Sequence, residues 1–343
     1  MNFRTPFGYL YGRIIDLRNY FYDHGIFKTH DLGALTISIG NLTTGGTGKT
    51  PLVALIAEML FEHGEKVCIL TRGYGRKNEN ERVLVSDGKQ VLVDADTGGD
   101  EPVELAHKLI GKAVVVADAD RVAAAKWAKE NFAITVFILD DGFQHRRARR
   151  DIDIVCIDAT DPCGNGQTLP AGTLRESFTG LNRADAVVMT RSDQASDVEE
   201  LEARLRARNA DVPILRSTTK ITEIVPLEEF FHAKTQSTQR KLPEGAFAFC
   251  GIGKADNFFL SLENFGVEIV GRLSLKDHAT YDNAMLKKIE AALRSSNAIA
   301  LITTAKDAVK LKDMSFGLPC YVAIAETVVE NDEEFRKLIT SSS

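Results

Sequence analysis

The sequence predicts an α/β fold in which helices flank a mainly parallel sheet. Short runs rich in β-branched residues recur along the 343 residues, and many of them are followed by a stretch with helical spacing. The runs are apolar throughout and do not alternate with polar residues, which is typical of strands buried on both faces of a parallel sheet. Helices between such strands complete the pattern of an α/β fold.

The predicted strands and helices follow one another through most of the chain. The strands are Leu35–Ile39, Lys66–Leu70, Ala113–Ala117, Ile134–Leu139, Ile152–Ile157, Ala186–Met189, Ala246–Cys250, Val267–Leu273, Ala298–Thr303 and Cys320–Ala325. The helices are Lys49–His63, Pro102–Leu109, Arg121–Asn131, Val198–Asn209, Ala255–Phe265 and Asn283–Ser295.

The composition excludes several classes of protein. Hydrophobic residues make up 44% and charged residues 26% of the chain, which is ordinary for a globular protein and excludes a disordered, collagen-like or coiled-coil chain. No apolar run approaches the roughly 18 residues of a membrane-spanning helix. With 42 basic and 48 acidic residues the net charge is −6, so the chain has no general attraction for nucleic acid and we predict none as a partner.

The cysteines and the N-terminus indicate the compartment. Five cysteines, an odd number without a CxxC pair, are typical of buried thiols in a reducing compartment. The first 20 residues lack the continuous apolar core of a signal peptide. We expect a protein of the cytoplasm or of the cytoplasmic side of a membrane.

The strongest local pattern is a phosphate-binding loop (P-loop) between the first strand and the first long helix. The segment 40–50 reads GNLTTGGTGKT, with Thr43 where the general pattern has glycine. Glycines let backbone N–H groups surround phosphate oxygens, Lys49 neutralises β- and γ-phosphate charge, and the Thr50 hydroxyl can ligate Mg²⁺. The predicted nucleotide-binding residues are Thr43, Thr44, Gly45, Gly46, Thr47, Gly48, Lys49 and Thr50.

A second element of a nucleotide site ends the strand Ile134–Leu139. In P-loop proteins an acid at the place of Asp140 and Asp141 holds Mg²⁺ directly or through water. An aspartate that only caps the following loop is the alternative for either residue alone. His145 follows so closely that it must lie near the same site.

Two pairs of neighbouring residues are candidates for the proton transfer that a phosphoryl acceptor requires. Asp100 and Glu101 follow two glycines at a helix start, where they serve either as a base beside a metal or only as caps that complement the helix dipole. Asp277 and His278 are either an acid–base pair or polar residues on the surface. The second pair can act with Asp100 only if the second domain faces the P-loop.

Basic and aromatic residues after other strands are candidates for binding an anionic substrate. Arg72, Tyr74 and Arg76 lie in a loop that suits contact with a phosphosugar, unless it is an ordinary turn. Arg121 and Arg175 would lie beyond the C-terminal edge of a parallel sheet, where ligands bind in such folds. As isolated residues, both arginines are otherwise typical of salt bridges.

The N-terminus predicts an amphipathic helix over residues 1–28. Such a helix either lies on a membrane surface or packs on the body of the protein, and its aromatic content favours the membrane. The apolar positions recur at steps of three and four: Phe7, Leu10, Tyr11, Ile14, Leu17, Tyr20 and Phe21.

The domain boundary follows from a change in composition. Residues 217–219 and 234–244 are polar, with the strand-like segment Ile221–Pro226 between them. We predict a P-loop domain over residues 29–220. A second, smaller α/β domain would cover residues 221–343, with a linker strand at its start.

Together the motifs resemble those of the tetraacyldisaccharide 4′-kinase family of lipid A biosynthesis. They run in family order over about residues 35–310, and Thr43 looks like the family's own variant of the P-loop. The matching segments are GNLTTGGTGKTP (40–51), TRGYGR (71–76), GDEP (99–102), DADR (118–121), LDDGFQH (139–145), LPAGTLRE (169–176), Asp277-His278 and TTAKD (303–307).

The resemblance implies a peripheral kinase on the cytoplasmic face of the inner membrane, bound there through the N-terminal helix and without an obligate protein partner. It implies transfer of the ATP γ-phosphoryl group to the 4′-hydroxyl of tetraacyldisaccharide 1-phosphate, a lipid A precursor, to form lipid IVA. Asp100 is implied as the catalytic base, assisted by His278, in a kinase domain over residues 29–220. The implied Mg²⁺ residues are Thr50, Asp140, Asp141 and Glu176. Those near substrate or phosphate are Arg72, Tyr74, Arg76, Glu101, Arg121, His145 and Arg175.

Two alternatives of other classes stay open. A switch NTPase would couple hydrolysis to dimerisation and need no acceptor, although Thr43 and Thr44 stand where a partitioning ATPase has a second lysine. The segment Met189–Asp193 superficially resembles a guanine-reading motif, with Arg191 in place of its lysine. A membrane-surface scaffold with a relic nucleotide site would tolerate the loss of Lys49.

Overall fold

The computed structural model describes residues 4–231, 244–312 and 314–340. The strands in these residues are β1 (Leu35–Asn41), β2 (Val67–Thr71), β3 (Val83–Ser86), β4 (Ala113–Ala117), β5 (Val136–Asp140), β6 (Ile152–Asp158), β7 (Ala186–Thr190), β8 (Ile214–Pro226), β9 (Ala246–Cys250), β10 (Ile269–Ser274), β11 (Ala300–Thr304) and β12 (Cys320–Val329). The helices are α1 (Thr5–Asp23), α2 (Lys49–Glu62), α3 (Ala95–Gly98), α4 (Asp100–Lys108), α5 (Arg121–Asn131), α6 (Val198–Arg206), α7 (Leu227–Phe230), α8 (Ala255–Phe265), α9 (Asn283–Arg294), α10 (Ala305–Ala308) and α11 (Asp332–Thr340).

The strands of the described residues form one sheet that is mainly parallel, which confirms the predicted fold class. Their order is β10-β9-β11-β12-β8-β7-β6-β1-β5-β2-β4-β3. Two neighbouring pairs are antiparallel, β3 with β4 at one edge and β8 with β12 in the middle. The other neighbours are parallel. The carboxyl ends of β1, β2, β4, β5, β6 and β7 therefore meet at one edge.

One long strand joins the two parts of the sheet, which we call the amino half (β1–β7 with its helices) and the carboxyl half (β9–β12 with its helices). Residues 214–216 of β8 pair in parallel with β7, and residues 217–226 pair antiparallel with β12. The sequence predicts only Ile221–Pro226 as strand, because the polar residues before it suggest a linker. Thr218 and Thr219 are β-branched, however, and suit a strand. The domain division at residue 220 stays a prediction, and residues 234–243 of the polar run lie outside the described residues.

The core of the amino half lies between the central strands and α2. Ile37, Ile138 and Ile154 are fully buried in one cluster with Leu52 and Ile56. Every residue of β5 and β6 is buried, as the continuous apolar runs predict. This packing fixes the direction in which β1 enters the P-loop and α2 leaves it.

The last helix of the chain returns to the amino half. Phe335 and Ile339 of α11 are fully buried in the cluster that contains α2. This helix is not among those predicted from the sequence, although its acidic first turn and two apolar residues four positions apart are the pattern of a short amphipathic helix.

The predicted N-terminal helix is present as α1, and it packs by a small and polar side. A Cβ at Gly8 would lie 2.8 Å from the Cβ of Ala171, and Asn19 Nδ2 donates to Glu176 Oε2 at 3.1 Å. None of the described helices has both the length and the apolar character needed to cross a bilayer.

Candidate active site

The P-loop connects β1 to α2 and leaves space next to its backbone. Gly45 and Gly48 have φ angles of 112° and 77°, which L side chains rarely adopt, and a Cβ at position 48 would lie 3.3 Å from Thr190. A Cβ at Gly45 or Gly46 would meet no atom within 4 Å. The loop therefore presents bare backbone to open space, which suits phosphate binding.

Three of the predicted nucleotide-binding threonines take part in contacts that support the loop. Thr43 and Thr44 are joined to residues 173–174 by backbone contacts, and the Thr43 side chain is nearly buried. Thr47 is also nearly buried, and its Oγ1 accepts a hydrogen bond from Asn41 Nδ2 at 2.9 Å. These contacts hold the backbone of the loop in place.

The acidic pair lies at the end of β5, beside the loop lysine. Lys49 Nζ is 3.5 Å from Asp141 Oδ1, and Arg175 donates to Asp141 Oδ2 at 2.6 Å. Burial would raise the pKa of Asp141, but these two cations outweigh it and hold the pKa below its usual range. For Asp140 the balance is reversed, since burial and the charges of Glu101 and Asp141 raise its pKa to about 6.

The oxygen atoms at this place fit a divalent cation. Asn41 Oδ1 is buried and accepts no hydrogen bond from any described residue, and the buried Asp141 Oδ1 has only the longer contact of 3.5 Å with Lys49 Nζ. The raised pKa of Asp140 is typical of a buried carboxylate with too little positive charge nearby. Such oxygens are the ligands that Mg²⁺ prefers. No three acidic, histidine or cysteine side chains of the described residues form a metal site by themselves, so phosphate oxygens would complete the shell.

Glu176 is connected to Asp141 through other side chains. Arg175 donates to Asp141 and also, at 3.4 Å, to Gln144 Oε1. The buried Glu176 carboxylate accepts hydrogen bonds from three side chains: Asn19, Gln144 and Arg183. The structure thus places this predicted metal residue in the network that supports the acidic pair.

The predicted catalytic pair is assembled from both halves of the sheet. Asp100 begins α4, and His278 follows β10 with a φ of 57°. His278 Nδ1 is 3.0 Å from Asp100 Oδ2, and Lys310 Nζ is 2.5 Å from the same oxygen. Burial alone would raise the pKa of Asp100, but His278 and Lys310 outweigh it and hold the pKa below its usual range. Asp100 is therefore a carboxylate at neutral pH.

Glu101 connects this pair with the acids beside the P-loop. Its charge contributes to the raised pKa of Asp140, and Lys306 Nζ lies 3.5 Å from its Oε1. Two successive residues of α4 thus face two parts of one site, since Asp100 contacts His278 while Glu101 acts on the end of β5.

Arg121 lies within electrostatic reach of the acidic pair, and His145 lies within that of Arg121. Burial lowers the pKa of Arg121, while the charges of Asp140 and Asp141 act in the opposite direction. Burial, followed by the charges of Arg121 and Arg150, lowers the pKa of His145 to about 4, so this ring is neutral at neutral pH. The structure brings Arg121 to the acidic pair, whereas His145 is related to that pair only through Arg121.

The basic–aromatic loop after β2 divides into exposed and buried positions. The Arg72 side chain and Tyr74 are exposed, and the Tyr74 ring centroid lies 6.0 Å from that of His278. Arg76 is buried and donates to the backbone carbonyls of Ala117 and Glu79. Its guanidinium therefore holds the loop and is not exposed to a ligand.

A charged cluster beside the P-loop is not predicted from the sequence. Asp158, at the end of β6, accepts hydrogen bonds from Arg191 and, at 2.6 Å, from Lys254 of the carboxyl half. Arg191 also donates to Gly46 O at 2.9 Å. The only signal for it in the sequence is the position of Arg191 directly after a strand.

Comparison with known proteins gives a consistent result over the whole chain. A family model described as tetraacyldisaccharide-1-P 4′-kinase matches residues 2–343. A tetraacyldisaccharide 4′-kinase from Desulfotalea psychrophila is 37% identical over 98% of this chain and 96% of its own. One from Geobacter metallireducens is 41% identical over 88% of this chain and 86% of its own.

A solved structure is similar over the whole fold. The crystal structure of LpxK from Aquifex aeolicus in complex with ATP superposes with a TM-score of 0.79 and 31% identity, and the match covers 98% of both chains. Its fold therefore includes both halves of the sheet.

Proposed function

The chain belongs to the tetraacyldisaccharide-1-P 4′-kinase family, and we propose that it transfers the γ-phosphoryl group of ATP to the 4′-hydroxyl of tetraacyldisaccharide 1-phosphate, a lipid A precursor, forming lipid IVA. The observation that carries the assignment of the site is the contact of 3.0 Å between His278 and Asp100. It joins a histidine of the carboxyl half to an ionised carboxylate whose neighbour Glu101 acts on the pKa of Asp140, and a kinase with a hydroxyl acceptor requires such a base.

The proposed reaction uses groups of this chain at each step. The bare backbone at Gly45 and Gly46 and the Lys49 ammonium hold the phosphates of ATP. Asp100 accepts the proton of the 4′-hydroxyl while the oxygen of that hydroxyl bonds to the γ-phosphorus. The bond from the γ-phosphorus to the bridging oxygen breaks, and ADP leaves. His278 keeps the carboxylate of Asp100 oriented during the transfer.

Mg²⁺ is part of the same proposal. Thr50, Asp140 and Asp141 would hold it, while Glu176 supports them through its hydrogen bonds to the neighbouring side chains. When bound, the ion neutralises charge on the β- and γ-phosphate oxygens. The raised pKa of Asp140 means that this carboxyl holds its proton more tightly than usual, and a bound cation would lower that pKa and favour the carboxylate.

The acceptor is proposed to approach from the side of Arg72 and Tyr74. Both side chains are exposed, and the Tyr74 ring lies beside His278. An arginine and an aromatic ring suit a sugar that carries a phosphate, since the guanidinium binds phosphate oxygens and the ring packs on a sugar face.

Transfer of label from γ-labelled ATP to tetraacyldisaccharide 1-phosphate in mixed micelles tests the function. Label in the lipid, dependent on Mg²⁺ and lost in Lys49→Met, is expected. Reactions with GTP and without lipid serve as controls. Label released only as inorganic phosphate, whether or not lipid is present, would support a switch NTPase and remove the proposed role of Asp100.

We further propose that α1 attaches the protein peripherally to the cytoplasmic face of the inner membrane. Its packed side is small and polar, so the apolar side stays exposed. Leu10, Ile14 and Leu17 lie on one helix face and are 58%, 56% and 54% exposed. Basic residues accompany them, among them the exposed Arg13 and Lys28. An exposed apolar face with basic residues nearby suits an anionic bilayer surface.

The triple variant Leu10→Ser, Ile14→Ser, Leu17→Ser tests this attachment. We expect vesicle affinity to fall at least about tenfold, because three apolar side chains are lost from the interface. Cosedimentation with vesicles containing anionic lipid measures it, and ATP affinity should not change. The matched control replaces three exposed apolar residues elsewhere, Leu92, Leu260 and Ile299, by serine. Equal vesicle binding by the two triple variants would return α1 to a purely packing role.

A further inference from the structure

Two lysines of the segment that begins with TTAKD reach the catalytic pair from the carboxyl half. Lys306 lies in α10 and Lys310 lies two residues after the end of this helix, and the two side chains are only 15% and 14% exposed. Buried lysines are rare unless they are paired. Their partners are groups of the active site, so these ammonium groups belong to it.

Lys310 and His278 bind the same oxygen of Asp100. Lys310 Nζ lies 2.5 Å from Asp100 Oδ2 and donates to Ala279 O at 2.9 Å, and His278 Nδ1 is 3.0 Å from the same Oδ2. No hydrogen bond to Oδ1 occurs among the described residues. The carboxylate is thus held by one oxygen, and the other remains to accept a proton.

Lys306 lies on the opposite side of the imidazole. Its Nζ is 3.4 Å from His278 Nε2 and 3.0 Å from Asp277 Oδ1. Burial would lower the pKa of Lys306, but Glu101 and Asp277 outweigh it and raise the pKa, so Lys306 is an ammonium and only donates. Asp100 only accepts. The ring nitrogen facing Lys306 must therefore be the acceptor, and Nδ1 carries the hydrogen that faces Asp100.

Asp307 holds the two lysines at the site. It is buried, and its carboxylate accepts hydrogen bonds from the backbone N–H of Gly251, from Tyr281 and from Thr304. These partners lie after β9, in the His278 loop and at the start of α10. One carboxylate therefore connects the loop that carries His278 with the segment that carries the lysines.

We propose that Lys306 and Lys310 are positioning residues for the phosphoryl transfer: Lys310 holds Asp100 by Oδ2 so that Oδ1 faces the acceptor hydroxyl, and Lys306 fixes the tautomer of His278 that donates to Asp100. This inference rests on the proposed function, since it requires Asp100 to be the base.

The pH dependence follows from the charges around Asp100. The cations in contact with Asp100 are Lys310 and, when protonated, His278, and Lys306 lies on the far side of the His278 ring. The acidic groups nearby, Glu101 and Asp277, are both paired with Lys306. Removing Lys310 takes away a cation in direct contact with Asp100 and therefore raises the pKa of that carboxyl. The base then becomes protonated at higher pH, and the acid limb of the kcat profile moves upward.

The experiment compares Lys310→Met and Lys306→Met with the control Lys312→Met, in the mixed-micelle assay from about pH 5 to 9. For Lys310→Met we expect a kcat about tenfold lower near neutral pH and an acid limb shifted upward by about one pH unit or more. For Lys306→Met we expect a lower kcat and a smaller upward shift of the acid limb than for Lys310→Met. The KM for ATP should change in neither. Lys312 is exposed and its ammonium faces the ring of Phe231, so its variant should behave as the wild type.

Three further measurements separate the possible failures. Lys310→Arg keeps the positive charge, so its acid limb should return towards that of the wild type, which a general loss of packing would not produce. Thermal melting shows whether each variant is folded. An Asp100→Asn variant with normal turnover would overturn the proposed base and this inference together. An inactive Asp100→Asn beside lysine variants with wild-type kcat and pH profile would overturn this inference alone.

Discussion

The amino half and the carboxyl half of the sheet provide the site with different kinds of groups. The amino half provides the phosphate-binding backbone of Gly45 and Gly46 and the acids at the end of β5, all at the carboxyl edge of parallel strands. The carboxyl half provides His278, Lys306 and Lys310 from loops and from the short helix α10. In the proposed reaction the amino half binds the nucleotide with its own residues, whereas the groups of the carboxyl half contact Asp100 and Glu101 of the amino half. Nucleotide binding and proton transfer are therefore expected to respond to different mutations.

The largest expected effect concerns the stability of the amino half, which depends on the last helix of the chain, α11. Phe335 is the last aromatic residue of the chain, and it is fully buried in the core of the amino half. Phe335→Ala should lower the free energy of unfolding by about 3–5 kcal/mol, because it leaves a cavity in a packed core. Urea unfolding measures the loss, and Glu334→Ala, at the exposed neighbouring position, should change it little. A loss below about 1 kcal/mol would show that α11 does not stabilise this half.

The next effect concerns Asp100, the residue of the amino half that His278 and Lys310 of the carboxyl half contact. Asp100→Asn should lower kcat at least about 10²-fold with the Kd for ATP nearly unchanged, because the base is lost while the P-loop is untouched. Steady-state kinetics with the lipid acceptor and direct ATP titration measure the two quantities. Asp96→Asn, on the exposed side of α3, is the matched control. A parallel loss of ATP affinity would show that the amino half cannot bind the nucleotide independently of Asp100.

The smallest expected effect concerns Arg191 and Lys254, one cation from each half, which both bind Asp158. Arg191 and Lys254 both bind its carboxylate, but only Arg191 also donates to Gly46 O in the P-loop. Arg191→Met should therefore raise the Kd for ATP about threefold to tenfold, because the loop loses one hydrogen bond with a net contribution of about 0.5–1.5 kcal/mol. Lys254→Met serves as the control and should leave that Kd within about twofold. If the two variants change the Kd equally, the contact with Gly46 contributes nothing and the effect passes through Asp158.

The parts of the fold that the sequence predicts are those determined by local chemistry. The P-loop is one continuous segment, and Asp140 and Asp141 directly follow an apolar strand, so their neighbourhood follows from strand order alone. The first residues of β8 escape prediction because Ser217 to Thr219 are polar in composition and become strand only by pairing with Thr327 to Val329. Pairing between distant segments leaves no mark on the composition of either.

The catalytic site shows the same division. Asp100 and His278 are predicted as candidates, and the structure places them in contact although they lie 178 positions apart in the chain. Lys306 is part of the motif TTAKD, and Lys310, three residues after that motif, carries no pattern of its own. Their role depends on which side of His278 they face, and this depends on Asp307, whose partners come from three separate segments. Buried polar networks of this kind follow from tertiary packing rather than from local sequence.

β8 limits how the two halves of the sheet can move. Because the same strand is hydrogen-bonded to β7 over its first residues and to β12 over the rest, the halves share a continuous backbone ladder. Separating Asp100 from His278 to open the site therefore requires the sheet to twist about β8. Cleavage of a peptide bond within residues 217–226 would not release two independently stable domains. Each half would then expose the unpaired N–H and C=O groups of an edge strand, which can pair with other chains.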